Sequence, residues 1–125
     1  MMRRDPEAMQ RTAERRDREN LADRLLIRIP NLKSLSIHIA ERATDRSGME
    51  VVYTRYIMVD RAPALFDIPC CEKNCRGGGH DLTSEVMAAL RNGKTSFEGT
   101  DRCAGSVRDV SCPFELHFVV DATYG

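Results

Sequence analysis

Five cysteines fall in two short stretches of this chain, and they constrain it more than anything else in the sequence. The first stretch is Cys70-Cys71-Glu72-Lys73-Asn74-Cys75-Arg76-Gly77; the second runs from Cys103-Ala104-Gly105 to Cys112-Pro113. A tetrahedral zinc ion takes thiolate sulfurs at about 2.3 Å, so four of them must be aimed at one point. Ligands a few residues apart come from a tight turn, and glycine after the second cysteine lets that turn take positive φ without a Cβ clash. Cys75-Arg76-Gly77 and Cys103-Ala104-Gly105 both carry that step. Cys70-x4-Cys75 and Cys71-x3-Cys75 both lie within ordinary ligand spacing. Cys103-x8-Cys112 is wider and suits a loop whose flanking strands run antiparallel.

The expected ligands are therefore Cys70, Cys75, Cys103 and Cys112. Adjacent side chains leave an extended backbone in opposite directions, so Cys70 and Cys71 compete for one position. Pro69 stiffens the approach to Cys70, which favours it, and Cys71 stays an alternate. His80 is a second alternate, as a nitrogen ligand in place of Cys112 or of the first cysteine. A helix and a strand occupy the 27 residues between Cys75 and Cys103. The plan resembles a zinc ribbon interrupted by a helix, a likeness resting on four cysteines and two glycines. Buried free thiols are the plain alternative, but core cysteines need no glycine turns.

Composition narrows the class. At 125 residues the chain is one domain with room for a tail. Apolar residues are 42 % but aromatic ones only 6 %, with no tryptophan, so the core is aliphatic. Lys and Arg total 19, as do Asp and Glu. A zero net charge supplies no long-range pull on phosphate backbones or anionic lipid, though local patches stay open. No apolar run approaches the ~18 residues of a membrane span. Met1-Met2-Arg3-Arg4-Asp5 lacks the apolar continuation of a secretory signal, so a cytoplasmic location is expected. Cysteines in a reducing compartment are metal ligands more often than disulfides.

The expected fold is α+β: a small, mostly antiparallel sheet of about four strands, one packed helix, and a charged N-terminal helix. Residues 1–24 read as a charged helical or partly disordered extension, and residues 25–125 as the zinc-stabilised domain. In the extension Glu7–Arg11, Glu14–Arg18 and Arg15–Glu19 stand four apart with opposite charge. Ala8, Met9 and Ala13 are too sparse for a core-facing stripe. Leu21 to Ile29 reads as helix giving way to an extended lead-in before Pro30. Leu35-Ser36-Ile37-His38-Ile39-Ala40 and Val51 to Val59 alternate as a hairpin around Ser47-Gly48. Leu82, Val86, Ala89 and Leu90 share one helical face, with Asp81 or Thr83 at its start and Gly93 at its end. Strands follow at Thr95–Arg102 and Phe114–Tyr124.

Functionally this points to a non-catalytic zinc module that binds a protein partner, or itself, through the N-terminal helix. A small nucleic-acid-binding zinc protein is the alternative. Between Cys70 and Cys112, however, Lys73, Arg76, Arg91, Lys94, Arg102 and Arg108 are cancelled by Glu72, Asp81, Glu85, Glu98, Asp101 and Asp109. Tyr53, Tyr56 and Phe97 would stack bases if they faced outward. A redox or metal-sensing pair at Cys70-Cys71 needs an exposed thiol of low pKa. Gly77-Gly78-Gly79-His80 before a helix has the outline of a phosphate cradle, but Asp81 sits where the phosphate would be. Hydrolytic pairings of His80 with Glu85 or His117 with Glu115 have no spacing that demands them. His38 and His117 fall on the polar faces of their strands.

Overall fold

The structure, a computed structural model, describes residues 6–125, apart from the side chains of residues 7 and 8. The N-terminal five residues and the expected Glu7–Arg11 pair lie outside the described residues.

Period-two alternation builds the body. In β1 (Leu32–Ala43), Leu35, Ile37 and Ile39 are buried and the residues between them are not. β2 (Glu50–Ile57) pairs antiparallel with β1, placing Leu35 opposite Ile57 and Ile39 opposite Tyr53. The turn between them is held by Asp45, whose Oδ1 accepts the Ser47 N–H at 3.0 Å. The loop after β2 carries two short segments, β3 (Asp67–Ile68) and β4 (His80–Asp81), which pair with each other. Next come β5 (Ser96–Arg102), a miniature hairpin of β6 (Ser106–Val107) and β7 (Val110–Ser111), and β8 (Phe114–Tyr124). The main sheet has the order β2-β1-β8-β5, antiparallel throughout.

One face of this sheet is covered. The helix between β4 and β5 spans Thr83–Arg91 and buries Val86, Met87, Ala89 and Leu90. Burying Val86, Met87 and Leu90 contributes about 1.5–3 kcal/mol each. Asp81 Oδ1 accepts the Thr83 N–H at 3.1 Å, which serves the exposed donors of the first turn. At the other end Gly93 takes φ +68, its N–H bonds to Leu90 and that of Lys94 to Ala89, a Schellman closure. Phe118 of β8 lies in the core and meets Phe97 edge to face, with centroids 6.1 Å apart.

Two segments depart from the sequence expectation. Leu25–Arg28 is a single helical turn, not an extended lead-in. Leu25 and Ile29, four apart, are buried while Ile27 is exposed, so the helical period outcompetes the apparent alternation. β2 stops at Ile57, because Met58 starts a turn whose carbonyl accepts the N–H groups of Arg61 and Ala62.

With that turn counted as α2 (Leu25–Arg28), the N-terminal helix is α1 (Pro6–Leu21) and the packed one α3 (Thr83–Arg91). α1 lies across the body on a polar stripe. Arg11 donates from Nη1 to the Cys75 carbonyl at 3.0 Å, and Arg18 pairs with Asp67 instead of Glu14. Glu14 accepts from Gln10 at 3.2 Å. The connection to α2 is tied down: the Ala64 N–H bonds to Asp23, and Arg24 bridges to Pro63.

Candidate metal centre

At one end of the sheet a second, smaller core gathers Ala43, Cys75, Cys103, Cys112 and Phe114, with Cys70 and Cys71 at its margin. Two backbone devices assemble it. The Cys103 N–H bonds to the Phe114 carbonyl at the mouth of the β5–β8 pair, and the Cys112 N–H to the Gly105 carbonyl. The two cysteine turns also bond to each other: Arg76 and Ser106 exchange N–H···O bonds of 2.8 and 3.0 Å. That exchange brings the sulfurs of residues 28 apart in sequence together.

The sulfurs of Cys70, Cys75, Cys103 and Cys112 all lie within 4.8 Å of one another. Cys70 and Cys112 are 3.7 Å apart, Cys75 and Cys103 3.5 Å. Sulfurs about 2.3 Å from the centre of a tetrahedron are roughly 3.8 Å apart, close to these two separations, so the group is of a size to hold zinc. Three of the four cysteines are buried and Cys70 is half-buried. Cys71 and His80, the two alternates, are not in this group.

The glycines fit the same purpose, though only one acts as the sequence suggests. Gly77 takes φ +70 with open space around it. Gly105 is not at positive φ; it is needed for close approach, since a Cβ there would lie 2.4 Å from Cys75 Sγ. Gly78 is tighter still, with a Cβ meeting Cys103 Sγ at 2.4 Å and Cys75 Sγ at 2.5 Å. The glycine run is thus the wall of the sulfur cluster and not a phosphate cradle.

Electrostatics show what the cluster lacks without a cation. Burial, with neighbouring thiols adding to it, pushes the Cys75 thiol up to about 12. Burial likewise drives Cys70 far above the ordinary thiol value. Burial works the same way on Cys103, but the N–H groups of Gly79 and Gly105 and the adjacent thiols outweigh it and lower that pKa. Protein groups alone thus keep the Cys70 and Cys75 thiols protonated, whereas a divalent ion deprotonates a coordinating thiol outright.

Cys71 belongs to a different network. Its N–H donates to Glu41 Oε1 at 3.0 Å, and burial, reinforced by the Glu41 carboxylate, raises its thiol to about 11. This is opposite to the low pKa of a reactive thiol. Glu41 is 1 % exposed and also accepts from Tyr53 Oη at 3.1 Å. His80, equally buried, donates from Nδ1 to Asp101 Oδ2 at 2.7 Å, and its Nε2 lies 3.8 Å from Glu41 Oε1. The histidine is therefore hydrogen-bonded to Asp101 alone, and its buried Nε2, facing the Glu41 carboxylate beside the sulfur cluster, has no hydrogen-bond partner among the described residues. Sequence reasoning overlooked Glu41 and Asp101. The signal was available: extending the alternation Leu35, Ile37, Ile39 by one step puts Glu41 on the core face, and Phe97, Gly99, Asp101 does the same in β5.

The remaining sequence candidates are surface groups. His38 bridges Thr54 and Asp121, each at 2.9 Å, and His117 pairs with Glu115 at 3.0 Å. Tyr56 is 80 % exposed, whereas Tyr53 and Phe97 are packed against the core. No helix among the described residues is long and apolar enough to cross a membrane. Comparison with family models, with curated proteins and with solved structures finds no match to this chain.

Proposed function

We propose that this chain is a zinc-stabilised, non-catalytic module that binds a protein partner, or a second copy of itself. The observation that carries the reading is the group of four sulfurs within 4.8 Å of one another, walled by glycines that leave no room for a Cβ. Zinc supplies a crosslink there: held by Cys70, Cys75, Cys103 and Cys112, it joins the loop after β2 to the tip of the β5–β8 pair. Four thiolates saturate a tetrahedral ion and leave no open position for water, so the site serves structure. Structural zinc contributes on the order of 10–16 kcal/mol, as much as the whole stability of a typical domain.

Two exposed features support the partner half of the reading. The edge strand β2 presents Val52 and Tyr56 beside Met49 and Met58, all more than half exposed. α1 presents a charged outer surface over residues 9–21. Elemental analysis of protein purified without chelator tests the metal, and should find one zinc per chain. Sedimentation of the full chain and of residues 22–125 tests the helix, with self-association expected to change on truncation. A metal-free, fully folded protein contradicts the first part. An association state indifferent to both truncation and salt contradicts the second.

A further inference from the structure

Beside the metal centre, three separate segments turn cationic side chains into one cavity of about 350 Å³. Arg11 comes from α1, Lys73 from inside the Cys70–Cys75 turn, and Arg108 from the β6–β7 tip inside the Cys103–Cys112 loop. Arg76, Asn74 and Ser106 complete the polar wall, and among the described residues Asp109 is the acidic one. In a chain of zero net charge this is a marked local imbalance.

The tip is built to hold that shape. Arg108 and Asp109 take φ +50 and +65, the pair of positive values that a two-residue type I′ hairpin turn requires. Asn and Gly are the residues that usually fill such a turn, so an arginine held there stays at a conformational cost. Among the described residues Lys73 and Arg108 are the wall cations that no hydrogen bond or ion pair engages. Arg11 spends one of its five donors on the Cys75 carbonyl.

We infer that this cavity binds a phosphomonoester carried on a peptide segment of the protein partner, clamped by Arg11, Lys73 and Arg108. The inference rests on the adaptor reading and supplies its partner chemistry. Guanidinium forks match phosphate oxygens in paired hydrogen bonds, and a phosphomonoester adds close to two negative charges with three acceptor oxygens. Those three oxygens meet three cations approaching from three segments. A nucleic-acid strand fits less well. The wall holds no aromatic ring for stacking. Zinc controls the site, because Lys73 and Arg108 each sit within a loop closed by two of its ligands, and Arg11 bonds the carbonyl of one of them, Cys75.

The test is calorimetric titration of the zinc-loaded full chain with a short glycine-flanked phosphoserine peptide. Its unphosphorylated twin, inorganic phosphate and a single-stranded oligothymidylate are titrated in parallel. The phosphopeptide should bind one to one, at least about tenfold more tightly than its twin, which is what one lost charge-assisted bond is worth. Arg108→Ala and Lys73→Ala should each weaken it by about tenfold while zinc content stays at one per chain. Equal binding of the twin overturns the inference, as does tighter binding of the oligonucleotide, capture of inorganic phosphate alone, or indifference to both substitutions. A chain that holds its zinc and ignores the phosphopeptide defeats this inference only. A chain without zinc defeats the metal reading as well.

Discussion

Two neighbouring glycines show how differently a residue type can be used. Gly77 is a matter of backbone conformation: at φ +70 with open space beyond, alanine costs about 1–2 kcal/mol of strain and displaces nothing. Gly78 is a matter of contact, because a Cβ there would press into two sulfurs. Gly77→Ala should therefore leave zinc affinity within a few-fold of the parent, by competition with a chromogenic chelator. Gly78→Ala should lower it roughly 10–100-fold, the range seen when groups packed around metal ligands are altered. Equal effects would show that the glycines act only through the turn. The thiols allow a second prediction. With Cys75 raised to about 12, and Cys70 raised too, both are protonated at neutral pH. Zinc must displace those protons, so affinity falls as pH drops from 8 to 6 and uptake acidifies a weakly buffered solution. Uptake without proton release would mean the sulfurs are not the ligands.

Among the elements, those with sustained periodicity were legible in the sequence and the short ones were not. β1, β8 and α3 each bury one face over two or more repeats and β5 half-buries alternate residues, enough for the pattern to reveal them, while β2 was legible from its run of β-branched and aromatic residues. α3 illustrates the stakes: Leu90→Ala should cost about 2–5 kcal/mol in thermal or denaturant unfolding, because Leu90 is buried in the main core. A loss below 1 kcal/mol would mean that α3 is not seated on the sheet. The pairs β3–β4 and β6–β7 are two residues per strand, below the length at which alternation exists. They form because tertiary contacts, the cysteine turns above all, hold their ends together. α2 was misread for a related reason: Leu25, Ile27 and Ile29 fit both periods, and only packing distinguishes them. α1 docks through Arg11 and Arg18, so its position depends on partners about 50 or more residues away that no local pattern records.

The whole molecule is a twisted sheet with one covered face and a sulfur cluster at its end, and the two parts have separate cores. The larger core is mostly aliphatic, whereas the smaller consists mostly of thiols, gathered by backbone bonds between the two cysteine turns. The four-cysteine group was readable because spacing and glycines are local. Glu41 and Asp101 beside the buried His80 were not read, although strand alternation places both on the core face, because their meeting with His80 depends on how β1, β4 and β5 come together. Removing zinc from the folded chain with a strong chelator should therefore unfold at least residues 70–112, seen as lost hydrogen-exchange protection there. Replacing zinc with cobalt tests the central claim most directly, because thiolate-to-cobalt charge-transfer absorption counts sulfurs on the ion. Four thiolates are expected in the parent and in Cys71→Ser, and three at most in Cys70→Ser. A spectrum of two or three thiolates in the parent, or one weakened by Cys71→Ser and untouched by Cys70→Ser, would contradict the account.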